Sequence, residues 1–289
     1  MERAVVELQV VEVNQVLDVL RNEIVTYATD DSGKYQEVPA TGAWEARVKE
    51  LHRELIEHIA ESDDTLMNKF FEQGSLSEEE FRGGIHAAVQ KELFIPLFCA
   101  SAENNIGVGR LMDFIAKYGS SPVDRKKVKA TDANDREIQV GLDDAETVAY
   151  VFKTMSEAHF GELSFFRVYA GTVSTGADMY NSDRKVSERI GQIYLINGQN
   201  RTAVSTLGAG DIGATVKLKD THTGNTLCNA KHPVSLPKVD YPKPNIHAAL
   251  IAKVKGEEDK IADGLAALHE EDPTFLHYVD GELHQTILS

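Results

Sequence analysis

The sequence predicts a multidomain chain of mixed α+β and β architecture, and three observations carry that reading. Between Val148 and Leu227, short bursts of alternating apolar residues are each closed by a glycine or a polar turn pair. Spacing of roughly 8–12 residues between such bursts marks a small antiparallel barrel. Ahead of it, apolar positions recur at helical intervals from Trp44 onward. Behind it, Asn245 to Leu288 reads as strand, helix and hairpin, the opening half of an α/β plait.

Residues 5–27 read as two strands around a polar turn, with Val5, Val6, Leu8 and Val10 in the first and Val16 to Leu20, then Ile24 to Tyr27, after it. Asp30-Asp31-Ser32-Gly33-Lys34 is a turn, and Tyr35 to Val38 is a candidate return strand. Val48, Leu51, Leu55, Ile56 and Ile59 form the stripe of a helix from Trp44 to Glu61. A second helix covers about Asp64 to Gln73, with Leu66, Met67, Phe70 and Phe71 inward. Ser75 and Ser77 before the acids 78–80 supply an N-cap and capping box for a third helix, to about Glu92. The continuous apolar run Phe94 to Ala100 predicts a buried strand, followed by a helix from Arg110 to Tyr118. The polar stretch from Ser120 to Gly141, poor in large apolar groups, predicts a linker. Prolines 237, 242 and 244 mark the next boundary, after which a helix from about Glu257 to Leu268 separates the strand at 245–252 from the hairpin. The expected domains are therefore 1–120, a linker at 121–144, a barrel at 145–236 and a partial plait at 237–289. A half plait leaves a sheet edge without its partner.

The formal charge of −16 opposes indiscriminate nucleic-acid binding, which needs a basic footprint. The acid is concentrated early: residues 1–118 hold 22 Asp/Glu against 11 Lys/Arg. That suits either a solvated helix face or attraction of a basic partner. No apolar run approaches the roughly 20 residues that cross a bilayer, and Met1-Glu2-Arg3-Ala4 has no signal-peptide pattern. Cys99 and Cys228 lie in apolar surroundings, as reduced buried thiols do. The chain is expected to be cytoplasmic, with no membrane partner.

Gly161-Glu162-Leu163-Ser164-Phe165-Phe166-Arg167-Val168-Tyr169-Ala170-Gly171 resembles a signature of the translational GTPases, elongation factor G above all. Ala209-Gly210-Asp211-Ile212-Gly213-Ala214 and Thr223-Gly224-Asn225-Thr226-Leu227 complete the likeness, Asn225 standing where the family usually has Asp. Glu270-Glu271-Asp272-Pro273-Thr274-Phe275 resembles the helix end of that family's third domain. Cys99-Ala100-Ser101-Ala102, followed by Asn105-Ile106-Gly107-Val108, is similar to its last guanine-recognition motif. The pattern of residues 16–20, the helix at 47–61 and residues 76–80 resembles the G prime insert.

The resemblance implies a fragment of such a factor. It would comprise an α/β remnant of the GTPase domain with its insert, the translation-factor β-barrel, and part of a ferredoxin-like third domain. Ser101 and Ala102 would be a remnant of the guanine pocket, the serine bracing the loop and the alanine amide meeting the base. The parent would bind the ribosome and couple GTP hydrolysis, with magnesium, to translocation or ribosome disassembly. The barrel would meet small-subunit rRNA, and the acidic insert the ribosomal stalk protein. Arg167 is then either a paired structural arginine or a phosphate contact.

The chemistry of a GTPase is missing from the sequence itself. There is no Gly-x-x-x-x-Gly-Lys-Ser/Thr cradle and no Asn-Lys-x-Asp motif, and Asp30-Asp31-Ser32-Gly33 meets Asp-x-x-Gly by chance. The chain is thus expected to hold no GTP, GDP or magnesium, and no catalytic residue is assigned. His222, Cys228 and His232 have no recognised zinc spacing. Two alternatives stand beside the fragment reading: a stand-alone, nucleotide-independent ribosome-binding module, and a piece of a ribosome-protection or release-factor GTPase.

Overall fold

The computed structural model describes residues 7–10, 14–93, 95–125, 127–157, 161–252, 256, 258–282 and 285–289. Val5, Val6, Phe94 and Glu257, named in the expectations above, lie outside the described residues. The chain falls into two units, Met1–Asp124 and Arg125–Ser289.

In the first unit β1 (Glu7–Val10), β2 (Gln15–Asp18), β3 (Glu23–Tyr27) and β4 (Tyr35–Pro39) pair antiparallel in chain order. The stretch read as two strands is thus the first three of a meander. The reversal between β2 and β3 uses Asn22 at φ +59°, a left-handed conformation that asparagine tolerates. Helix α1 (Ala43–Ala60) presents Leu51, Leu55 and Ile59 to a core shared with Val19, Ile85 and Phe114. Helix α2 (Asp64–Gln73) is capped by Asp63, whose Oδ1 accepts the amides of Thr65 and Leu66 at 2.8 and 3.2 Å. Phe71 is 76% exposed, not inward as expected, because α2 is covered along one edge only and fully buries no residue.

Helix α3 (Glu78–Gln90) starts at the expected capping box, with Ser77 as its cap and Glu80 reaching back to the Ser77 amide. Helix α4 (Val108–Tyr118) follows an irregular segment. The predicted buried strand does not form there: Ile95 and Leu97 are 50% and 48% exposed. A run apolar on both faces needs ladders and cover on both sides, and the described residues give it no strand.

The second unit opens with β5 (Lys127–Asp132) and β6 (Glu137–Gly141), within the stretch expected to be a linker. Ala130 and Val140 are buried while most of their neighbours in the hairpin are wet, so the stretch reads as polar although it is a hairpin. The turn places Asp135 at φ +59°, and the Asp132 carboxylate accepts the amides of Asn134 and Arg136. Next come β7 (Val148–Glu157), β8 (Gly161–Ala170), β9 (Thr172–Ser174), β10 (Asp178–Asn181) and β11 (Val186–Arg189). They are followed by β12 (Ile193–Asn197), β13 (Asn200–Val204), β14 (Thr206–Gly208), β15 (Ile212–Val216), β16 (Thr226–Cys228) and β17 (Val234–Ser235).

Eight of these strands form one sheet in the order β11-β10-β16-β7-β8-β15-β12-β13; β9 and β14 make a separate ribbon, and β17-β5-β6 a third sheet. Met179 of β10 and Ile193 of β12, near opposite ends of that order, share a core with Val151, Phe166, Leu207 and Leu227. The sheet therefore curls around one interior. Its hydrogen-bonded ladder does not close among the described residues, so the expected barrel is an open one held shut by side-chain packing. Gly213 shows how tight that packing is: a Cβ there would sit 2.2 Å from Leu207 Cδ1.

The C-terminal elements are β18 (Ala248–Leu250), α5 (Glu258–Glu271), β19 (His277–Val279) and β20 (Thr286–Leu288), with the sheet order β18-β20-β19. This is the strand, helix and hairpin expected. Helix α5 is tied to the large sheet by its last turn, where Glu271 accepts the Ser156 amide at 2.8 Å and the Glu270 carbonyl accepts the Thr223 hydroxyl at 3.3 Å.

Candidate functional site

The two residues singled out from the guanine-motif likeness sit in one tight loop. The Ser101 amide donates to the Ile106 carbonyl and the Ile106 amide to the Ser101 carbonyl, each at 2.9 Å. Ser101 Oγ accepts the Asn104 amide at 3.4 Å within the turn, and Ala102 at its tip is exposed. Asn105, at φ +52°, reaches the Asp31 carbonyl at 3.3 Å. Gly107 then starts α4 at φ +73°, where an added Cβ would lie 2.8 Å from the Cys99 carbonyl oxygen. Only glycine fits that left-handed, crowded position.

Helix α4 carries a buried charge that sequence reading missed. Arg110 is 5% exposed and faces three carboxylates: Asp18 at 3.5 Å, Glu23 at 4.0 Å, and Glu37 in direct contact. Its guanidinium also lies over the Tyr35 ring, 5.1 Å from the centroid. Burial pushes the Asp18 carboxyl above the usual range, against the opposing pull of Arg21. This ion cluster ties β2, β3 and β4 to α4; the signal in the sequence was an arginine on the stripe shared with Phe114.

In the second unit the Gly161–Gly171 signature is β8 with its flanking turns. Arg167 stands on the less buried face, opposite Tyr150 in the ladder, with its guanidinium 5.5 Å from the Tyr169 ring centroid. Among the described residues it has no ion pair, so the structural arginine weighed above is stacked, not salt-bridged.

A buried polar network that the sequence did not reveal fixes the Thr223–Leu227 turn. Asn181 Nδ2 donates to Thr221 Oγ1 and to Asn225 Oδ1, both at 3.0 Å. The Thr221 hydroxyl donates to Glu188 at 3.0 Å, and Glu188 also accepts the amides of Lys219 and Asp220. Asp183 accepts the Thr226 amide at 2.7 Å. Only the Oδ1 acceptor of Asn225 is used, by Asn181 and by the His222 amide, and an aspartate there would keep both of these bonds.

His222, Cys228 and His232 go to different partners. His222 lies 2.8 Å from Glu270 and His232 3.3 Å from Glu146, while the Cys228 thiol is buried beside Tyr180 and Val234. Among the described residues no three His, Cys, Asp or Glu side chains are grouped to hold a metal ion. No helix of the described residues is long and apolar enough to cross a membrane.

Comparison with known proteins places these features in context. Residues 146–230 match elongation factor G domain 2, and residues 241–289 match elongation factor G, domain III. The chain also superposes on the crystal structure of ttk003000868 from Thermus thermophilus, with a TM-score of 0.79 and 25% identity. That match covers 99% of this chain and 41% of the other, so the chain spans less than half the length of that relative. The curled sheet with its Gly-Asn-Thr-Leu turn, followed by β18-α5-β19-β20, makes this an elongation-factor-G-like chain carrying that family's domains 2 and III in succession.

Proposed function

We propose that the chain is the ribosome-binding portion of a translational GTPase whose whole length couples GTP hydrolysis, with magnesium, to translocation or ribosome disassembly. The observation that carries this is the unbroken order of the two elongation factor G domains within one superposition spanning 99% of the chain. Ser101 and Ala102 fit a guanine-pocket loop: the serine hydroxyl holds the turn and the exposed alanine leaves its backbone open to a base. The phosphate cradle and the guanine-specifying Asn-Lys-x-Asp are absent from the sequence, so the nucleotide chemistry belongs to residues outside it. Small-subunit rRNA is the proposed partner of the curled sheet. The stalk protein is the proposed partner of the acidic first unit, whose Glu45, Glu50, Glu54 and Glu57 lie along α1.

The test pairs co-sedimentation of the purified chain with ribosomes and titration with a fluorescent GDP analogue. Ribosome association without magnesium-dependent nucleotide binding is expected. Tight nucleotide binding, or no association with ribosomes under any condition, overturns the reading.

A further inference from the structure

In a chain of net charge −16, one cavity of the second unit is rimmed by cations. It holds about 500 Å³ and is lined by Tyr150 and Tyr169, with Arg125, Lys127 and Lys129 around it. Val128 and Leu236 belong both to its walls and to the apolar layer where the β17-β5-β6 sheet covers β7 and β8. That volume falls within the range of about 300–1,000 Å³ typical of ligand pockets. Lys129 is shared with Glu137 at 3.2 Å, whereas Arg125 and Lys127 have no acidic partner among the described residues. The Tyr150 side chain is 7% exposed and its hydroxyl is buried without a well-formed hydrogen bond, although the Val239 backbone lies beside it. Arg167 completes a continuous face: it is the cross-strand neighbour of Tyr150 and stacks on Tyr169.

We propose that this cavity is a single-stranded RNA subsite, with a nucleobase packed against the Tyr150–Tyr169 pair and the adjoining phosphates on Arg125, Lys127 and Lys129. The proposal takes RNA as its ligand class from the ribosome-binding reading above and assigns that contact to particular residues. Aromatic rings beside a cationic rim are the pairing that single strands need: the ring accepts any base, and the cations follow the backbone. An acidic peptide would use the cations but has no need of two tyrosine rings and a stacked arginine.

The experiment is a fluorescence-polarisation titration of the purified chain with a labelled single-stranded RNA octamer, beside an oligoglutamate peptide of similar charge. Arg125→Glu with Lys127→Glu is expected to weaken RNA binding about tenfold or more and to flatten its salt dependence. Tyr169→Leu, which keeps the packing apolar, weakens it with the salt slope retained. Lys185→Glu, an equal charge change in the β10–β11 turn, leaves it unaltered. Absence of octamer binding, equal losses in Lys185→Glu and the double variant, or tighter binding of the peptide overturns the proposal. Ribosome co-sedimentation of the same proteins separates the two readings. Sedimentation without octamer binding removes the subsite and leaves the ribosome reading standing. Cavity-dependent octamer binding without sedimentation upholds the subsite and removes the ribosome reading.

Discussion

Asn225 Oδ1 accepts a hydrogen bond from Asn181 Nδ2 at 3.0 Å, across 44 residues of sequence, inside the second unit. The same oxygen receives the His222 amide, so one side chain both shapes its own turn and ties it to the end of β10. Asn225→Asp keeps that acceptor and is expected to fold with nearly unchanged stability. Asn225→Ala takes the acceptor from the His222 amide and one of three acceptors from Asn181 Nδ2, which keeps the Asp220 carbonyl and Thr221 Oγ1, and is expected to cost about 1–3 kcal/mol. Urea unfolding followed by far-UV circular dichroism distinguishes the two; equal losses would mean that the turn depends on the asparagine NH₂.

Arg110 is expected to be the most costly single side chain to remove from the first unit. Arg110→Leu leaves the nearly buried Asp18 carboxylate with only the half-exposed Arg21 guanidinium, and Glu37 with none among the described residues, and should destabilise by roughly 3 kcal/mol. Trp44, the single tryptophan, packs beside Leu17 in this unit and reports its unfolding by fluorescence. The folded Asp18 carboxyl is already raised by burial, so its proton binds more tightly in the folded state. That contribution is fully present below the unfolded value and fades as pH rises through the folded one. The Arg110→Leu defect should therefore shrink toward acid pH, and a pH-independent defect would assign the cost to packing alone.

Glu80 behaves in the opposite sense. The Lys69 ammonium, then the Ser77 hydroxyl and amide, hold its carboxylate down to about 2. A depressed folded value gives stability that is present above the unfolded value, about pH 4.3, and is lost as pH falls toward 2. Glu80→Gln, which cannot titrate, should flatten the acid-unfolding profile of the first unit across that window. The readout is again Trp44 fluorescence, and an unchanged profile would exclude Glu80 from acid unfolding.

The two cysteines should differ in reactivity. Burial pushes the Cys228 thiol up, and the side chain is inaccessible beneath β17, whereas Cys99 is half-buried on the irregular segment before α4. Thiolate fraction and access both control attack, so one thiol per chain should react with an aromatic disulfide reagent under native conditions. Both should react in denaturant. Mapping the modified residue by peptide mass checks the assignment, and native labelling of Cys228 would show that the β16–β17 region opens.

Helices α1, α2 and α3 were legible in residues lying within a few positions of each other. The apolar stripe from Val48 to Ile59, Asp63 before the second helix and the Ser77–Glu80 box all act over one or two turns, so local order was enough to reveal them. The same holds for the turn glycines of the 148–227 region. Three expectations failed where local order says nothing about cover. Residues 95–100 carry the composition of a buried strand and form no strand among the described residues, Leu97 making only an isolated bridge. Phe71 sits on a helix covered along one edge. Residues 127–141 look like a linker because one side of their hairpin is wet.

Periodicity and turn signals sufficed for the helices of the first unit, the strand-rich middle and the closing strand, helix and hairpin, and the resemblance of motifs pointed to the elongation-factor-G-like succession of domains 2 and III. Those signals reside in neighbouring residues and survive whatever the rest of the chain does. Which distant side chains meet could come only from the folded chain. Arg110 reaches carboxylates on three strands far behind it, and Asn181, Glu188, Thr221 and Asn225 converge from two separate stretches. Tyr150 comes beside Arg167 only through the β7–β8 ladder. A buried polar group is stable only when its partner is placed within hydrogen-bond distance. Strand register and helix docking set that distance, and one-dimensional spacing does not record them.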